Sequence, residues 1–294
     1  MISLRSTFVA VTLLSTVACG SSASGGDGGP TDGDGGTNNG NDGGGVATAK
    51  YLGYISATNI ETTVGMTTIH SYTASGSFTQ TTGSGSMCTT TKDGACAVVD
   101  CVAGDAGTTT YFKAGTVTVD VGNGAKVVTL TQAPQGYYAA TSQTESLFTG
   151  GEPIVAKTTG DATGAPAVSL SLTAPAKITL TSPALQVGQK LMVSRSAPLP
   201  VAWSGGMVGK AFVVLSATGG GRSVIASCTF DESAGSGTIP ASVTGKLVAG
   251  NGSLAVYGYA STETLSGDWG FIFNAQFPAV TPAGATAVTQ TTVQ

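Results

Sequence analysis

The chain has 294 residues, of which only 10% are charged and 44 are glycine, and its formal charge is −4. That charge divides unevenly: residues 20 to 45 hold four Asp and no cation, while residues 46 to 294 hold 11 cations against 12 anions. A near-neutral folded part with no basic patch and no polybasic run excludes nucleic acid as a partner and charge-driven adsorption to anionic lipid.

Residues 1 to 19 carry Arg5 beside the free N-terminus, then an uncharged run from Phe8 to Leu14 that ends in small residues, the pattern of a secretory signal. The run is far shorter than the roughly 20 apolar residues of a membrane-spanning helix. The junction Thr16, Val17, Ala18, Cys19 resembles the lipobox of bacterial lipoproteins, with Thr16 where that family usually has Leu. The resemblance implies lipidation at Cys19, with the acyl chains anchoring the protein to a membrane. Gly20 follows, without the Asp that marks inner-membrane retention, so the expected address is the outer membrane or cell surface. The alternative is ordinary cleavage, for instance after Ala23, giving a secreted soluble protein.

Residues 20 to 45 are almost entirely Gly, Ser, Asp and Asn and have no apolar surface to offset the entropy of ordering, so they are expected to form a disordered linker. Asp32, Asp34, Asn38, Asn41 and Asp42 have the look of a calcium loop. The twelfth position counted from Asp32, however, is Gly43 where an EF-hand needs Glu. The segment reads as a tether, and no metal or other cofactor is expected.

Beyond residue 45, β-branched residues recur with period two and helix-forming runs are scarce. Thr116 to Val121 sets valines against polar residues, Gly122-Asn123-Gly124 is a turn, and Lys126 to Thr131 answers it, which makes a hairpin. Further strands are expected at 51–57, 68–80, 96–101, 137–142, 153–158, 168–172, 178–181, 199–203, 211–217, 223–230, 254–259 and 269–277. The expectation is an all-β protein of two tandem β-sandwiches, 46–165 and 166–294, divided near the loop Gly160 to Gly164. In the second, Leu199, Val201, Trp203, then Phe212 to Leu215, Ile225 to Phe230 and Ile239-Pro240 resemble an immunoglobulin- or fibronectin-type sandwich, with Trp203 in the core.

Cys19 apart, Cys88, Cys96, Cys101 and Cys228 make an even set in an exported chain, where disulfides persist. Cys88 and Cys96 lie symmetrically about the segment Lys92-Asp93-Gly94, so a hairpin there would pair them and leave Cys101 for Cys228. Cys88 with Cys101 is the rival. Cys96 and Cys101 are an odd number of residues apart on one strand, point to opposite faces and do not bond each other. Their spacings do not suit a zinc site.

Chemistry is sparse. The one histidine, His70, lies on an alternating strand without a nucleophile motif and reads as a strand residue. The acids Glu61, Asp93, Asp100, Asp105, Asp120, Glu145, Glu152, Asp161, Asp231, Glu232, Glu263 and Asp268 mostly sit at turns or beside glycines, where acids are solvated. Tyr257 and Tyr259, spaced to share a face, and Trp269 on the next strand are the candidate ligand platform, such as sandwiches use for sugars, although core positions are the plainer reading. As a whole, the signal, stalk, cysteine cluster and Trp203 to Pro240 pattern resemble lipoproteins of predatory soil bacteria of the myxobacterial type, and the resemblance implies no activity. The expected function is a non-enzymatic, lipid-anchored envelope or surface protein with a structural, adhesive or ligand-presenting role, its candidate ligand a glycan or protein. A carbohydrate-binding module is the alternative, and a glycoside hydrolase with two facing carboxylates comes third.

Overall fold

The computed structural model describes residues 49–64, 67–82, 87–102, 108–142, 144–186, 189–206 and 208–294. Cys19 and the 20–45 linker lie outside the described residues. The chain is all-β. In order, the strands are β1 (Tyr51–Val64), β2 (Thr67–Thr82), β3 (Met87–Asp93), β4 (Cys96–Val102), β5 (Thr108–Tyr111), β6 (Val117–Val121), β7 (Lys126–Gln132), β8 (Tyr138–Ser142), β9 (Pro153–Thr158) and β10 (Val168–Thr173). They continue with β11 (Thr179–Ser182), β12 (Leu191–Val193), β13 (Leu199–Ser204), β14 (Lys210–Gly219), β15 (Arg222–Asp231), β16 (Ser236–Ile239), β17 (Gly250–Ser266), β18 (Trp269–Pro278) and β19 (Val288–Val293). One short helix, α1 (Ala241–Thr244), follows β16.

The hairpin of β6 and β7 forms as its alternation requires. Val117, Val119 and Val121 are buried, Thr118 and Asp120 face outward, and Asn123 takes a left-handed φ of 56° between two glycines. The Asp120 carboxylate accepts the Gly124 N–H at 2.7 Å and closes the turn.

The large sheet runs β10-β9-β6-β7-β8-β2-β1-β18-β17-β14-β15-β4-β3, and β11-β13-β16 form a second, small sheet. At the centre, β1 and β18 pair in parallel, Tyr51 opposite Trp269 through Thr58 opposite Gln276. The far strand β10 comes back against β17 and β18, so the first half of the sheet curls over its own core. That core holds Ile55, Phe78, Val119, Ile154, Phe271 and Phe273 among others. The second core lies between β14, β15, β17 and the small sheet, with Trp203, Leu215, Val256 and Ile239 at its centre. Trp203 is core, as expected: its ring lies 6.0 Å from Phe230 and its Nε1–H donates to the Glu232 carbonyl at 2.8 Å. Residues 46–165 and 166–294 each supply most of one core, and each lends strands to the other. Hairpin β3–β4 puts Cys96 and Val98 into the second core, and β18 puts Trp269, Phe271 and Phe273 into the first.

The disulfides are Cys88–Cys101 and Cys96–Cys228, which corrects the pairing favoured from spacing. The hairpin turns at Gly94-Ala95, with Gly94 at φ 57°, and not about Lys92. Asp93 therefore faces Cys96, and Cys88 faces Cys101. Cys96 in turn lies opposite Cys228 on β15. Both bridges join directly opposed residues of antiparallel neighbours, with Cα atoms 4.0 Å apart. The odd spacing of Cys96 and Cys101 puts one bridge on each face of β4. Two such bonds place the folded part in an oxidising compartment outside the cytoplasm. Among the described residues no helix is long and apolar enough to cross a membrane.

Candidate functional site

Even-numbered residues of β4 and β15 face the second core, so Val98 and Asp100 on β4 and Val224 and Arg222 on β15 share one face. Past the buried Val98 and Val224 that face opens to solvent, and there Asp100 and Arg222 stand at the rim. Thr89 and Thr91 on β3 lie opposite Asp100 and Val98, and so join the same face. Across the opening, the segment after β12 brings Arg195, and the end of α1 brings Gly245 and Lys246. Together they enclose a cleft of about 300 Å3.

Its electrostatics are one-sided. Arg222 donates to the Asp100 carboxylate from both Nε and Nη2, and that pairing holds the guanidinium pKa above its ordinary value. Arg195 donates from Nη2 to the Gly245 carbonyl at 3.2 Å, and Lys246 from Nζ to the Thr91 hydroxyl at 3.0 Å. Neutral acceptors fix those two side chains without cancelling their charge. Three cations against one carboxylate line the cleft, in a folded part whose formal charge is −1 overall. Arg195 and Arg222 are the two arginines of the folded part.

The proposed aromatic platform does not assemble. Tyr257 and Tyr259 do share a face of β17, and both pack on Phe212, with ring centroids 6.5 and 4.7 Å away. Burial pushes both phenols above their ordinary pKa. Trp269, however, lies opposite Ser266, seven residues along β17 from Tyr259. At about 3.3 Å per residue that is roughly 23 Å, and an odd separation puts it on the other face. Trp269 is 7% exposed and stacks between Tyr51 and Phe271 at 5.0 and 5.8 Å. It is a core residue.

His70 is a half-exposed strand residue. Its Nδ1 lies 3.4 Å from the Ser146 hydroxyl and 3.7 Å from the Glu61 carboxylate, which is itself held by Lys177 at 2.7 Å. A serine relay needs the acid and the hydroxyl on different ring nitrogens. Here both face the same one.

Glu232 corrects the reading of the acids as solvated. It follows β15 in a 3-10 turn, its carbonyl accepting from the Trp203 indole and the Gly235 N–H, and this points the side chain inward. Glu232 is 2% exposed, and neither carboxyl oxygen has a hydrogen-bond partner among the described residues. Gly206 and Gly258 make room for it: a Cβ on either would sit 2.7 or 3.1 Å from a carboxyl oxygen. Desolvation pushes the carboxyl up to about 7. No local pattern in the sequence marks this acid, because its burial depends on glycines 26 residues away on either side in the chain.

No family model matches the chain, and no curated protein matches it. Among solved structures, a tetra-tandem repeat from the extending region of a large adhesion protein is similar at 13% identity. That alignment covers 76% of this chain and 73% of the other, with a TM-score of 0.20.

Proposed function

We propose that the chain is an exported, non-enzymatic surface protein, acylated at Cys19 and held off the outer membrane by the 20–45 stalk. In this reading it is a lipoprotein of the myxobacterial type, and its ectodomain works by presenting the cationic cleft to a ligand. The observation that carries the reading is the pair of disulfides, one on each face of β4. They fit an oxidising compartment, and they hold one wall of the cleft in place before any ligand arrives, which reduces the entropy lost on binding. The cleft is lined by cations and hydroxyls, groups that hold a ligand, and its carboxylate Asp100 is ion-paired with Arg222.

Metabolic labelling with an alkyne fatty acid, followed by membrane fractionation, tests the anchored role. The wild type is expected to take up label and sediment with outer membranes, and Cys19→Ala to lose both. An unlabelled, soluble wild type would sink the anchored reading. Turnover of a defined substrate by the purified protein, abolished by Asp100→Asn, would overturn the non-enzymatic one.

A further inference from the structure

We infer that the cleft between hairpin β3–β4 and the Arg195 and Lys246 segments is a binding site for an acidic saccharide, a sugar bearing carboxylate or sulfate groups. The inference rests on the ligand-presenting role proposed above and names the ligand class of that site.

Charge comes first. A guanidinium is a planar fork that matches carboxylate and sulfate oxygens two at a time, and it stays charged at any physiological pH. Arg195 spends one N–H on Gly245, and Lys246 spends one on Thr91; both side chains are exposed and neither has a carboxylate within 4 Å among the described residues. Arg222 is held in place by Asp100, and that carboxylate can also accept from a sugar hydroxyl. The site thus has two uncompensated positive charges for anionic groups and fixed polar groups for hydroxyls.

The hydroxyls come second. Thr89 and Thr91 are two apart on the edge strand β3, so they face the cleft side by side. Each hydroxyl can donate and accept, as sugar hydroxyls require. At about 300 Å3 the cleft is at the small end of ligand-site volumes, a size for one or two sugar rings. A duplex nucleic acid would need a stripe of cations to displace its counterions, and the folded part carries 11 cations against 12 anions.

Rigidity comes third. Thr89 is next to Cys88 and Asp100 is next to Cys101, so the Cys88–Cys101 bridge lies directly behind the cleft wall. Cys96–Cys228 ties the same wall to β15, which carries Arg222.

The test is isothermal titration of the full chain in detergent with four probes: trigalacturonate, a sulfated disaccharide, neutral maltotriose and sodium sulfate. Both acidic saccharides are expected to bind and maltotriose is not. The double variant Arg195→Gln, Lys246→Gln should weaken acidic binding by roughly tenfold or more, the size expected for losing charge-assisted hydrogen bonds. Both side chains are exposed, so its denaturation midpoint should match the wild type. The inference is overturned if the acidic saccharides give no heat at millimolar concentration, if the double variant binds them as well as the wild type, or if sulfate alone competes at equal affinity. Maltotriose binding that survives in the double variant would overturn the acidic class and leave the surface role standing. The labelling experiment at Cys19 reads that role separately.

Discussion

Replacing Glu232 with Gln removes one ionisation from the interior while keeping the shape of the side chain. The fold raises this carboxyl from an ordinary 4.5 to about 7, so the folded state holds its proton where the unfolded chain has released it. By linkage, the ionisation penalty is absent below about pH 4.5, and stability falls as pH rises from there to about 7. Above that the full penalty applies. A shift of this size corresponds to about 3 kcal/mol, a large share of a typical domain's stability. Urea denaturation of wild type and Glu232→Gln, at intervals from pH 4.5 to 8, reads it directly. The difference between the two proteins cancels every other titrating group. It is expected to move by about 3 kcal/mol in favour of the variant as pH rises. A buried, unpaired amide costs about 1–3 kcal/mol of its own, which offsets the whole difference without changing its slope. Parallel pH curves for the two proteins would refute the burial of an unpaired carboxyl at this position.

The disulfides should differ in weight. Cys96–Cys228 closes a loop ten times longer than Cys88–Cys101, with separations of 132 and 13 residues. By chain entropy, replacing both members with Ala should cost about 5 kcal/mol for the long bridge and about 3 kcal/mol for the short one, measured by urea denaturation. Peptide mapping without reduction should recover Cys88 joined to Cys101, and a Cys88–Cys96 peptide would contradict the register of the hairpin. Trp269→Ala should lower stability by about 3–5 kcal/mol as a core truncation. Trp269→Phe should leave saccharide binding unchanged, and a loss of binding at wild-type stability would restore the tryptophan to a ligand platform.

The fold was largely legible where the signal is local. Alternation from Thr116 to Val121 and the glycines around Asn123 determine the β6–β7 hairpin, and Trp203 among Leu199 and Val201 is as buried as its neighbours imply. The cysteine pairing depends on the position of one turn: centred on Gly94-Ala95 and not on Lys92-Asp93-Gly94, it sets Cys101 and not Cys96 opposite Cys88. Tyr257 and Tyr259 align as their spacing implies, but β17 runs on for seven residues past Tyr259 beside β18, which puts Trp269 opposite its far end and on the other face. The cleft was invisible in sequence because its charges come from positions 100, 195, 222 and 246. They meet only when a hairpin from the first half docks on β15 in the second. The one available hint was that both arginines of the folded part are used there.

The most direct test of the central claim is chemical-shift mapping of the isotope-labelled protein titrated with trigalacturonate. Backbone resonances of Thr89, Thr91, Arg195, Arg222, Gly245 and Lys246 are expected to move together and saturate, while those around Tyr257 and Tyr259 stay still. Shifts concentrated on the aromatic face, or none at saturating saccharide, would contradict it.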